Sequence, residues 1–285
     1  MKVLITGANG QVGRALQLTA PSGAQVIPTG IADLDIRDAT AVSTFVRDLA
    51  PSLIINAAAY TAVDKAEVDE PEALRVNRDA VANLSRAAQA NGARFVHIST
   101  DFVFNGMQSS PYPPDGAPSP VSAYGRTKLA GELAAGDDAL IVRTSWVYAS
   151  RGSNFVLTML RLMAERDEVR VIADQIGTPT FAKSIAEAVW ALAGQGRAGL
   201  WHFTDSGTAS WYDFAVAIQE EALALGLLTR EVPVIPIATS GYPTPARRPQ
   251  YSVLDKSLTI AALGSTAPHW RVNLRKMLKE VLADG

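Results

Sequence analysis

The sequence contains no cysteine, which excludes disulfide bonds and thiol chemistry. It also lacks any apolar run close to the roughly 18 residues that a membrane-spanning helix requires. The apolar start of the chain breaks at Gly7, too early for the core of a signal peptide. The three histidines are too widely spaced to suggest a metal cluster. We therefore predict a cytoplasmic chain with no membrane partner and no histidine or cysteine metal site.

The sequence also lacks a large excess of either charge. It has 26 Lys and Arg residues and 28 Asp and Glu residues, for a formal net charge of −2. Without a long basic run, bulk electrostatics give no reason to expect a nucleic acid as partner. The composition, 48% hydrophobic and 19% charged over 285 residues, is that of a globular protein. A chain of this length can bury one large core, or one core with a smaller lobe packed on it.

Short apolar runs alternate with helical patterns over the first half of the chain. Continuous apolar strands that alternate with helices are typical of a parallel sheet covered on both faces. The predicted strands are 2–6, 24–28, 53–56, 95–99 and 140–144. The predicted helices between them are 11–18, 39–49, 71–91 and 124–135. The pattern predicts an α/β fold with a doubly wound parallel sheet of the Rossmann type.

After residue 144 the alternation loosens, which predicts a smaller mixed α/β lobe that binds the substrate. Further helices are expected at 154–165, 181–193 and 272–282, and strands at 169–173 and 199–203. The predicted dinucleotide-binding domain covers 1–147, with returning segments near 178–204 and 230–238, and the predicted substrate-binding lobe covers 148–177, 205–229 and 239–285. A proline-rich loop, 105–121, lies before the helix 124–135 and is a natural place for a cover over a pocket.

A glycine-rich turn directly follows the first strand and opens the first helix. Its GxxGxxG spacing permits a tight turn and lets backbone N–H groups approach a pyrophosphate at the positive end of the helix. At this place in the chain the turn indicates a dinucleotide. The residues that we expect to contact the dinucleotide here are Gly7, Asn9, Gly10, Gln11, Val12 and Gly13.

The remaining cofactor contacts have weaker signals. The second strand is followed by Thr29 and Gly30 and not by an acidic residue or a nearby arginine, so the usual discriminator between a ribose hydroxyl and a 2′-phosphate is missing. Asp35 and Ile36 come after a turn, where they can flank an adenine. Small side chains after the strand 53–56 suit either a close passage of the cofactor or a packed helix crossing. These are Ala57, Ala58 and Ala59.

Tyr124 and Lys128 lie four residues apart in the predicted helix 124–135, so their side chains project from the same face. That geometry brings an ammonium close to a phenol and favours the ionised phenol. The reference pKa of a phenol is ~10, and poising it near neutrality takes ~3 pKa units, or ~4 kcal/mol. The same spacing also occurs on many solvated helix faces, so the residues around it decide its meaning.

Several motifs, in chain order, resemble those of the extended short-chain dehydrogenase/reductase family. The glycine turn is followed by Ser99 and Thr100 at the end of a strand, and then by the YxxxK motif of Tyr124 and Lys128. The match is closer to one branch of that family, the dTDP-4-dehydrorhamnose reductases. The segments that carry it are 6–13, 56–64, 99–106, 143–148, 174–180 and 248–255. The resemblance implies the reduction of a dTDP-linked 4-keto sugar, the last step towards dTDP-L-rhamnose.

The resemblance also implies roles for single residues. Tyr124 is expected to be the proton donor and a cofactor contact, and Lys128 to bind the nicotinamide ribose and lower the pKa of the tyrosine. Thr100 is expected to hydrogen-bond the substrate carbonyl, where charge develops as hydride arrives. Arg248 suits a diphosphate through its fork of donors. Trp146 either offers a flat apolar wall to the sugar or its base, or is a packed aromatic after the sixth strand. The expected substrate contacts are Thr61, Val63, Thr100, Asp101, Phe102, Trp146, Gln175 and Arg248.

Cofactor preference, metal use and oligomeric state stay open. Members of the family use NADPH or NADH, so both are candidates. Some relatives bind Mg²⁺ at a dimer interface through a glutamate in the first helix, where this chain has Ala15, so that ligand of the metal is absent. We therefore expect a monomer or a homodimer, with no strong case for Mg²⁺.

Three other functions fit parts of the same pattern. A sugar-nucleotide dehydratase needs an acid and a base after the threonine, and Phe102 can serve as neither. An epimerase needs few residues beyond those of a reductase, although the motifs in the predicted substrate-binding lobe argue against an epimerase. A catalytically silent, dinucleotide-binding regulatory subunit also has this fold, since the branch resembles the regulatory partner of methionine adenosyltransferase. The intact Thr100, Tyr124 and Lys128 favour an enzyme.

Overall fold

The computed structural model of the protein describes residues 1–284. Within that range the strands are β1 (Lys2–Thr6), β2 (Gln25–Thr29), β3 (Leu53–Asn56), β4 (Arg94–Thr100), β5 (Leu140–Thr144), β6 (Val147–Tyr148), β7 (Val169–Ile172), β8 (Ile176–Gly177), β9 (Thr180–Phe181), β10 (Gly199–His202), β11 (Ala209–Ser210) and β12 (Val234–Ile237). The α-helices of the same range are α1 (Gln11–Leu18), α2 (Ala39–Leu49), α3 (Val63–Ala66), α4 (Glu70–Leu74), α5 (Ala80–Ala90), α6 (Ala123–Ala135), α7 (Phe155–Glu165), α8 (Ala182–Gly194), α9 (Trp211–Ala224), α10 (Ser257–Leu263) and α11 (Trp270–Asp284). No helix in this part of the chain combines the length and apolar character that crossing a bilayer requires.

A six-stranded sheet organises the larger part of the chain. Its strands are all parallel and lie in the order β10-β5-β4-β3-β1-β2. Successive side chains of a strand point to opposite faces. Ile5 and Ile55 accordingly share a core with α1 and α8, whereas Leu4 and Ile54 share one with α2 and α5. The predicted α/β fold with a doubly wound parallel sheet is confirmed.

The direction of strand addition reverses at β1, which has β2 on one side and β3 on the other. In such sheets a crevice opens at the carboxyl edge, between the loops that leave the two central strands. Here the loops are the glycine turn after β1 and the alanine segment after β3. They approach closely, since a Cβ on Gly7 would stand 2.4 Å from the backbone nitrogen of Ala58. The crevice therefore lies between two segments predicted as cofactor contacts.

The helix predicted over 71–91 contains one wide turn. It forms as α4, a π-helical turn at Arg75–Asp79, and α5. Asn77 in this turn accepts from the N–H of Tyr60 at 2.9 Å, and its Nδ2 donates to the Tyr60 carbonyl at 3.2 Å and to Thr127 Oγ1 at 3.0 Å. Such turns are frequent at functional sites. This one ties the loop after β3 to α6, the helix of the YxxxK motif.

The smaller lobe has its own core, in which Met159 and Phe214 of α7 and α9 pack with Leu274 of α11. Its strands β7 and β12 form a parallel pair. The prediction that segment 230–238 returns to the large sheet is wrong, because α9 packs on both strands of this pair and β12 aligns with β7. Residues 199–202 do return, as β10 beside β5.

The middle of the proline-rich loop is held against the sheet. Tyr112 is buried and stacks on Phe104 with ring centres 4.2 Å apart. Its carbonyl oxygen lies 3.1 Å from His202 Nδ1, and the carbonyl of Pro114 accepts from Arg143 Nη1 at 3.3 Å. These partners fix the middle of the loop. The role of the loop as a cover over a pocket stays a prediction.

Candidate active site

The turn after β1 has the properties of an anion site. Gly7 has a φ of +69°, and a Cβ on Gly13 would stand 2.2 Å from the Gly7 carbonyl oxygen, so the turn requires glycine at both positions. α1 begins after Gly10, and no side chain within residues 1–284 caps it there. Free N–H groups at the positive end of a helix bind phosphate groups. The residues present therefore fit the pyrophosphate of a dinucleotide.

An acidic side chain stands at the end of β2, although none follows the strand directly. Residues 30–33 form a turn that returns Asp33, and its Oδ2 accepts from the N–H of Gly30 at 2.8 Å. Asn9 lies against the same glycine, because a Cβ on Gly30 would meet Asn9 Nδ2 at 2.6 Å. No acidic residue follows the strand directly, as expected, but the carboxylate of Asp33 turns back towards the strand end.

Asp35 and Ile36, predicted to flank an adenine, have other partners. Arg37 pairs with Asp35 at 2.8 Å and with Glu72 at 2.6 Å. The hydrogen bond from Arg37 holds the pKa of Asp35 below its ordinary value. The side chain of Ile36 is buried in the core with Val42 of α2. Arg37 therefore lies close to the predicted adenine contacts, and the carboxylates of Asp35 and Glu72 neutralise its charge.

The end of β4 and the start of α6 bring Thr100 and Tyr124 together. Ser122 Oγ accepts from the N–H of Gly125 at 3.2 Å and so caps the start of α6. A Cβ on Gly125 would stand 2.2 Å from the Phe102 carbonyl oxygen, so glycine permits this close approach. Burial raises the pKa of Tyr124 to about 12, against a hydrogen bond with Thr100 that lowers it. The pair thus holds a protonated phenol beside a hydroxyl.

Lys128 reaches into the sheet. Its Nζ donates to the Ile98 carbonyl at 2.7 Å and lies 3.3 Å from His97 Nε2. Burial lowers the pKa of Lys128 to about 8, against the attraction of Glu132. Burial thus dominates both members of the motif, and it disfavours the charged form of each. The lowering of the Tyr124 pKa by the Lys128 ammonium and a bound nicotinamide cofactor stays a prediction.

Asp101 and Phe102, both expected substrate contacts, flank the Thr100–Tyr124 pair. Asp101 Oδ1 accepts from Thr100 Oγ1 at 3.0 Å, whereas its buried Oδ2 has no hydrogen-bond partner among the described residues. Burial raises the pKa of Asp101 to about 6, although hydrogen bonds from Ser252 and Thr100 oppose the change. The ring of Phe102 meets that of Tyr124 edge-on, with centres 5.4 Å apart. One polar and one apolar side chain therefore surround the pair.

A cavity of about 320 Å³ brings Gln175 and Arg248 together. Arg248 pairs with Asp64 at 2.8 Å, and its Nη1 donates to Thr244 Oγ1 at 2.7 Å. Asp64 directly follows Val63 at the start of α3, so this ion pair joins the loop after β3 to the C-terminal third. The donors of Arg248 that were expected to meet a diphosphate thus already hold a carboxylate. Thr61 is exposed in the same loop.

Trp146 is held between partners in the smaller lobe. Its ring stacks on Trp211, with centres 3.5 Å apart and planes 5° from parallel. A Cβ on Gly177 would stand 2.5 Å from Trp146 Cε2. These contacts make Trp146 a packed aromatic, and its predicted contact with the substrate stays a prediction. Trp211, which the sequence did not reveal as a site residue, donates from Nε1 to Gln175 Oε1 at 3.3 Å.

The surroundings of Ala15 do not fit a Mg²⁺ ion. A cavity of about 490 Å³ is lined there by Ala15, Arg14, Lys183 and Glu280, among others. Mg²⁺ prefers oxygen ligands, and the carboxylate of Glu280 is already paired with the Lys183 ammonium at 2.5 Å. No group of three or more His, Cys, Asp or Glu side chains within residues 1–284 is arranged to hold a metal ion.

The chain resembles known proteins over its whole length. Residues 1–283 match the family model described as the RmlD substrate binding domain. The chain belongs to this family. A dTDP-4-dehydrorhamnose reductase of Burkholderia thailandensis is 43% identical over 297 residues, which cover 99% of this chain and 100% of the relative.

Two solved structures of RmlD relatives share the fold throughout. The dTDP-4-dehydrorhamnose reductase of Clostridium acetobutylicum has a TM-score of 0.92 and 40% identity, with 99% of this chain and 100% of that chain covered. The reductase of Bacillus anthracis, solved in complex with NADP, has a TM-score of 0.93 and 36% identity, with 98% and 99% covered. The resemblance inferred from the motifs is confirmed.

Proposed function

We propose that the protein reduces dTDP-4-dehydro-L-rhamnose to dTDP-L-rhamnose with NADH or NADPH. The observation that carries the proposal is the meeting of Thr100 and Tyr124 at the sheet edge where the glycine turn fits a pyrophosphate. Whole-length similarity to dTDP-4-dehydrorhamnose reductases supplies the identity of the substrate.

The side chains of this site can hydrogen-bond and protonate the ketone oxygen of the substrate. A bound nicotinamide ring supplies a hydride to the ketone carbon. Tyr124 gives its phenolic proton to the ketone oxygen, so that the carbonyl becomes an alcohol, and the hydroxyl of Thr100 holds that oxygen during the step. A buried phenol with a raised pKa keeps its proton until charge develops on the substrate. Lys128 holds the nicotinamide ribose.

We infer a preference for NADH over NADPH. The carboxylate of Asp33 at the end of β2 can accept a hydrogen bond from a ribose 2′-hydroxyl, and it repels a 2′-phosphate. Arg37, which could attract that phosphate, is neutralised by Asp35 and Glu72. Arg14 is a second cation that can attract the 2′-phosphate, since its Nε donates to the Asn9 carbonyl at 2.9 Å beside the glycine turn.

We propose that the cavity lined by Gln175 and Arg248 takes the nucleotide end of the substrate. A diphosphate there would compete with the Asp64 carboxylate for Arg248. The other expected substrate contacts stay predictions, as do the domain boundaries, the cytoplasmic location and the choice between monomer and homodimer. These expected substrate contacts are Thr61, Val63, Asp101, Phe102 and Trp146.

A coupled assay tests the proposal. Purified protein is expected to oxidise NADH or NADPH only when a dTDP-4-keto-6-deoxyhexose is present, with a 3,5-epimerase added to present the L-sugar. Binding of either cofactor without turnover would favour the silent regulatory subunit instead. A dehydratase is disfavoured by Phe102, whose ring occupies the place beside Tyr124 where an acid or a base would be needed.

A further inference from the structure

Trp146 has a backbone conformation that a bulky residue rarely adopts. Its φ is +46°, and within residues 1–284 the only other non-glycine residue with a positive φ is Ala50. Ala50 caps the end of α2, where the left-handed conformation is common. Trp146 instead lies between β5 and β6, two residues after Thr144, which pairs with Thr100 of β4. Such strain persists only where the surrounding structure fixes it, and it is concentrated at functional sites.

The indole N–H of Trp146 also differs from those of the other four tryptophans. No hydrogen bond of Trp146 Nε1 is found within residues 1–284, and the side chain is partly exposed. Each of the other four donates to a protein oxygen at 2.8–3.3 Å: Trp190 to the Leu16 carbonyl, Trp201 to the Ala198 carbonyl, Trp211 to Gln175 Oε1 and Trp270 to the Thr208 carbonyl. Trp146 therefore has a strained backbone and a donor left over for a ligand.

Two neighbours fix the ring of Trp146. Its face stacks on Trp211, with centres 3.5 Å apart and planes 5° from parallel. Its edge packs on Gly177, where a Cβ would stand 2.5 Å from Trp146 Cε2. Trp211 also donates from Nε1 to Gln175 Oε1 at 3.3 Å. One side chain thus contacts two of the predicted substrate contacts, Trp146 through its ring and Gln175 through its N–H.

Trp211 is itself held in place at the start of α9. Ser210 Oγ accepts from the N–H of Asp213 at 3.0 Å, and the N–H of Ser210 donates to Asp213 Oδ2 at 2.9 Å, which closes a capping box. β11, which leads into α9, pairs with β8, the strand that contains Gly177. The ring of Phe155 lies 4.7 Å from that of Trp211. The stack is therefore formed between two fixed segments.

We propose that Trp211 is a positioning residue of the sugar-nucleotide site: its ring holds the Trp146 indole in one orientation, and its N–H sets the direction of the Gln175 amide. An indole N–H only donates, so the atom of Gln175 that faces Trp211 is the oxygen, and Gln175 Nε2 donates to Thr239 Oγ1 at 3.1 Å. Groups that are ordered before binding lose little conformational freedom when the substrate arrives, which strengthens binding. The inference rests on the proposed function, which makes Trp146 and Gln175 substrate contacts.

Two replacements separate the ring of Trp211 from its N–H. Trp211→Phe keeps an aromatic ring against Trp146 but removes the donor to Gln175, whereas Trp211→Leu removes both. We expect the KM of dTDP-4-dehydro-L-rhamnose to rise about threefold in Trp211→Phe and about tenfold in Trp211→Leu, with kcat and the Kd of NADH changed by less than about twofold. A purely structural role would lower the amount of folded enzyme and so reduce turnover, without raising KM. The control is Trp270→Phe, which removes an indole donor to the Thr208 carbonyl in the same lobe and should leave KM unchanged.

A double-mutant cycle tests whether the Trp211 ring acts through Trp146. In a Trp146→Leu background, Trp211→Leu is expected to raise KM by no more than Trp211→Phe does in the unchanged protein, because only the contact with Gln175 is then left to lose. A full tenfold rise in that background would overturn the proposal.

Nitrogen-15 NMR of tryptophan-labelled protein gives a readout that needs no turnover. The Trp146 indole proton, identified as the signal missing from Trp146→Leu, is expected upfield of the other four, because its ring is stacked on that of Trp211, and to move downfield in Trp211→Leu. A signal that Trp211→Leu leaves in place, or a KM that neither Trp211 replacement raises, would overturn the proposal. With the expected signals but no turnover in the unchanged protein, the positioning by Trp211 stands and the proposed reductase activity fails.

Discussion

Arg143→Met should destabilise the fold by about 3–5 kcal/mol, the usual cost of leaving one charge of a buried pair without its partner. The Arg143 guanidinium pairs with Glu132 at 2.7 Å, and the two side chains are only 3% and 5% exposed. Without the guanidinium, the carboxylate would keep the hydrogen bond from Ser99 Oγ at 2.5 Å. One hydroxyl cannot replace a full counter-charge in a buried site.

Urea unfolding at neutral pH measures this loss. The matched control is Arg161→Met, because its pair with Glu165 at 2.9 Å has side chains that are 59% and 56% exposed, and its removal should cost less than about 1 kcal/mol. The double replacement Arg143→Met with Glu132→Leu should recover much of the stability, since no charge then stays buried. A loss in Arg143→Met no larger than in Arg161→Met would refute the reasoning.

Three further predictions concern single side chains. Asp33→Asn should lower the preference for NADH over NADPH by about tenfold, or roughly 1.4 kcal/mol, because it removes a charge that repels a 2′-phosphate. Titration with each cofactor measures this preference. A preference that changes only in Arg14→Gln would contradict the prediction. The pKa of Asp101 is raised from 3.8 to about 6, so its contribution to the free energy of unfolding is fully present below pH 3.8 and is lost as the pH rises through about 6, a fall of about 3 kcal/mol. Asp101→Asn should flatten this fall when urea unfolding is measured at several pH values. An unchanged dependence of the free energy of unfolding on pH would speak against the prediction. Asn77→Leu leaves the N–H and carbonyl of Tyr60 without these partners and should cost about 1–3 kcal/mol in the same assay, whereas a neutral effect would show that the π-turn contact is dispensable.

Local patterns were enough to predict the sheet and to propose Thr100 and Tyr124 as the chemical centre. The strands of the large sheet are continuous apolar runs, and Gly7 and Gly13 follow β1 directly, so both features are visible in short stretches of sequence. Thr100 and Tyr124 were predictable because one ends a strand, the other begins a helix, and both lie in motifs of the RmlD family.

Other features depend on contacts between distant segments. Asp33 reaches the end of β2 through a turn, so counting from the strand does not find it. The direction of Lys128 depends on His97 and Ile98, which lie on another element, and spacing on a helix cannot show this. The pairing of β12 with β7 and the anchoring of Pro114 by Arg143 likewise depend on tertiary packing.

Turnover of Tyr124→Phe tests the central claim most directly. With the dTDP-4-keto sugar and NADH, kcat should fall by about 10²–10⁴-fold, because the ketone oxygen loses its proton donor, while the Kd of NADH should change by less than about twofold. A phenylalanine variant that keeps more than about a tenth of the turnover, with the same cofactor affinity, would contradict the assignment of the phenol as the source of the proton.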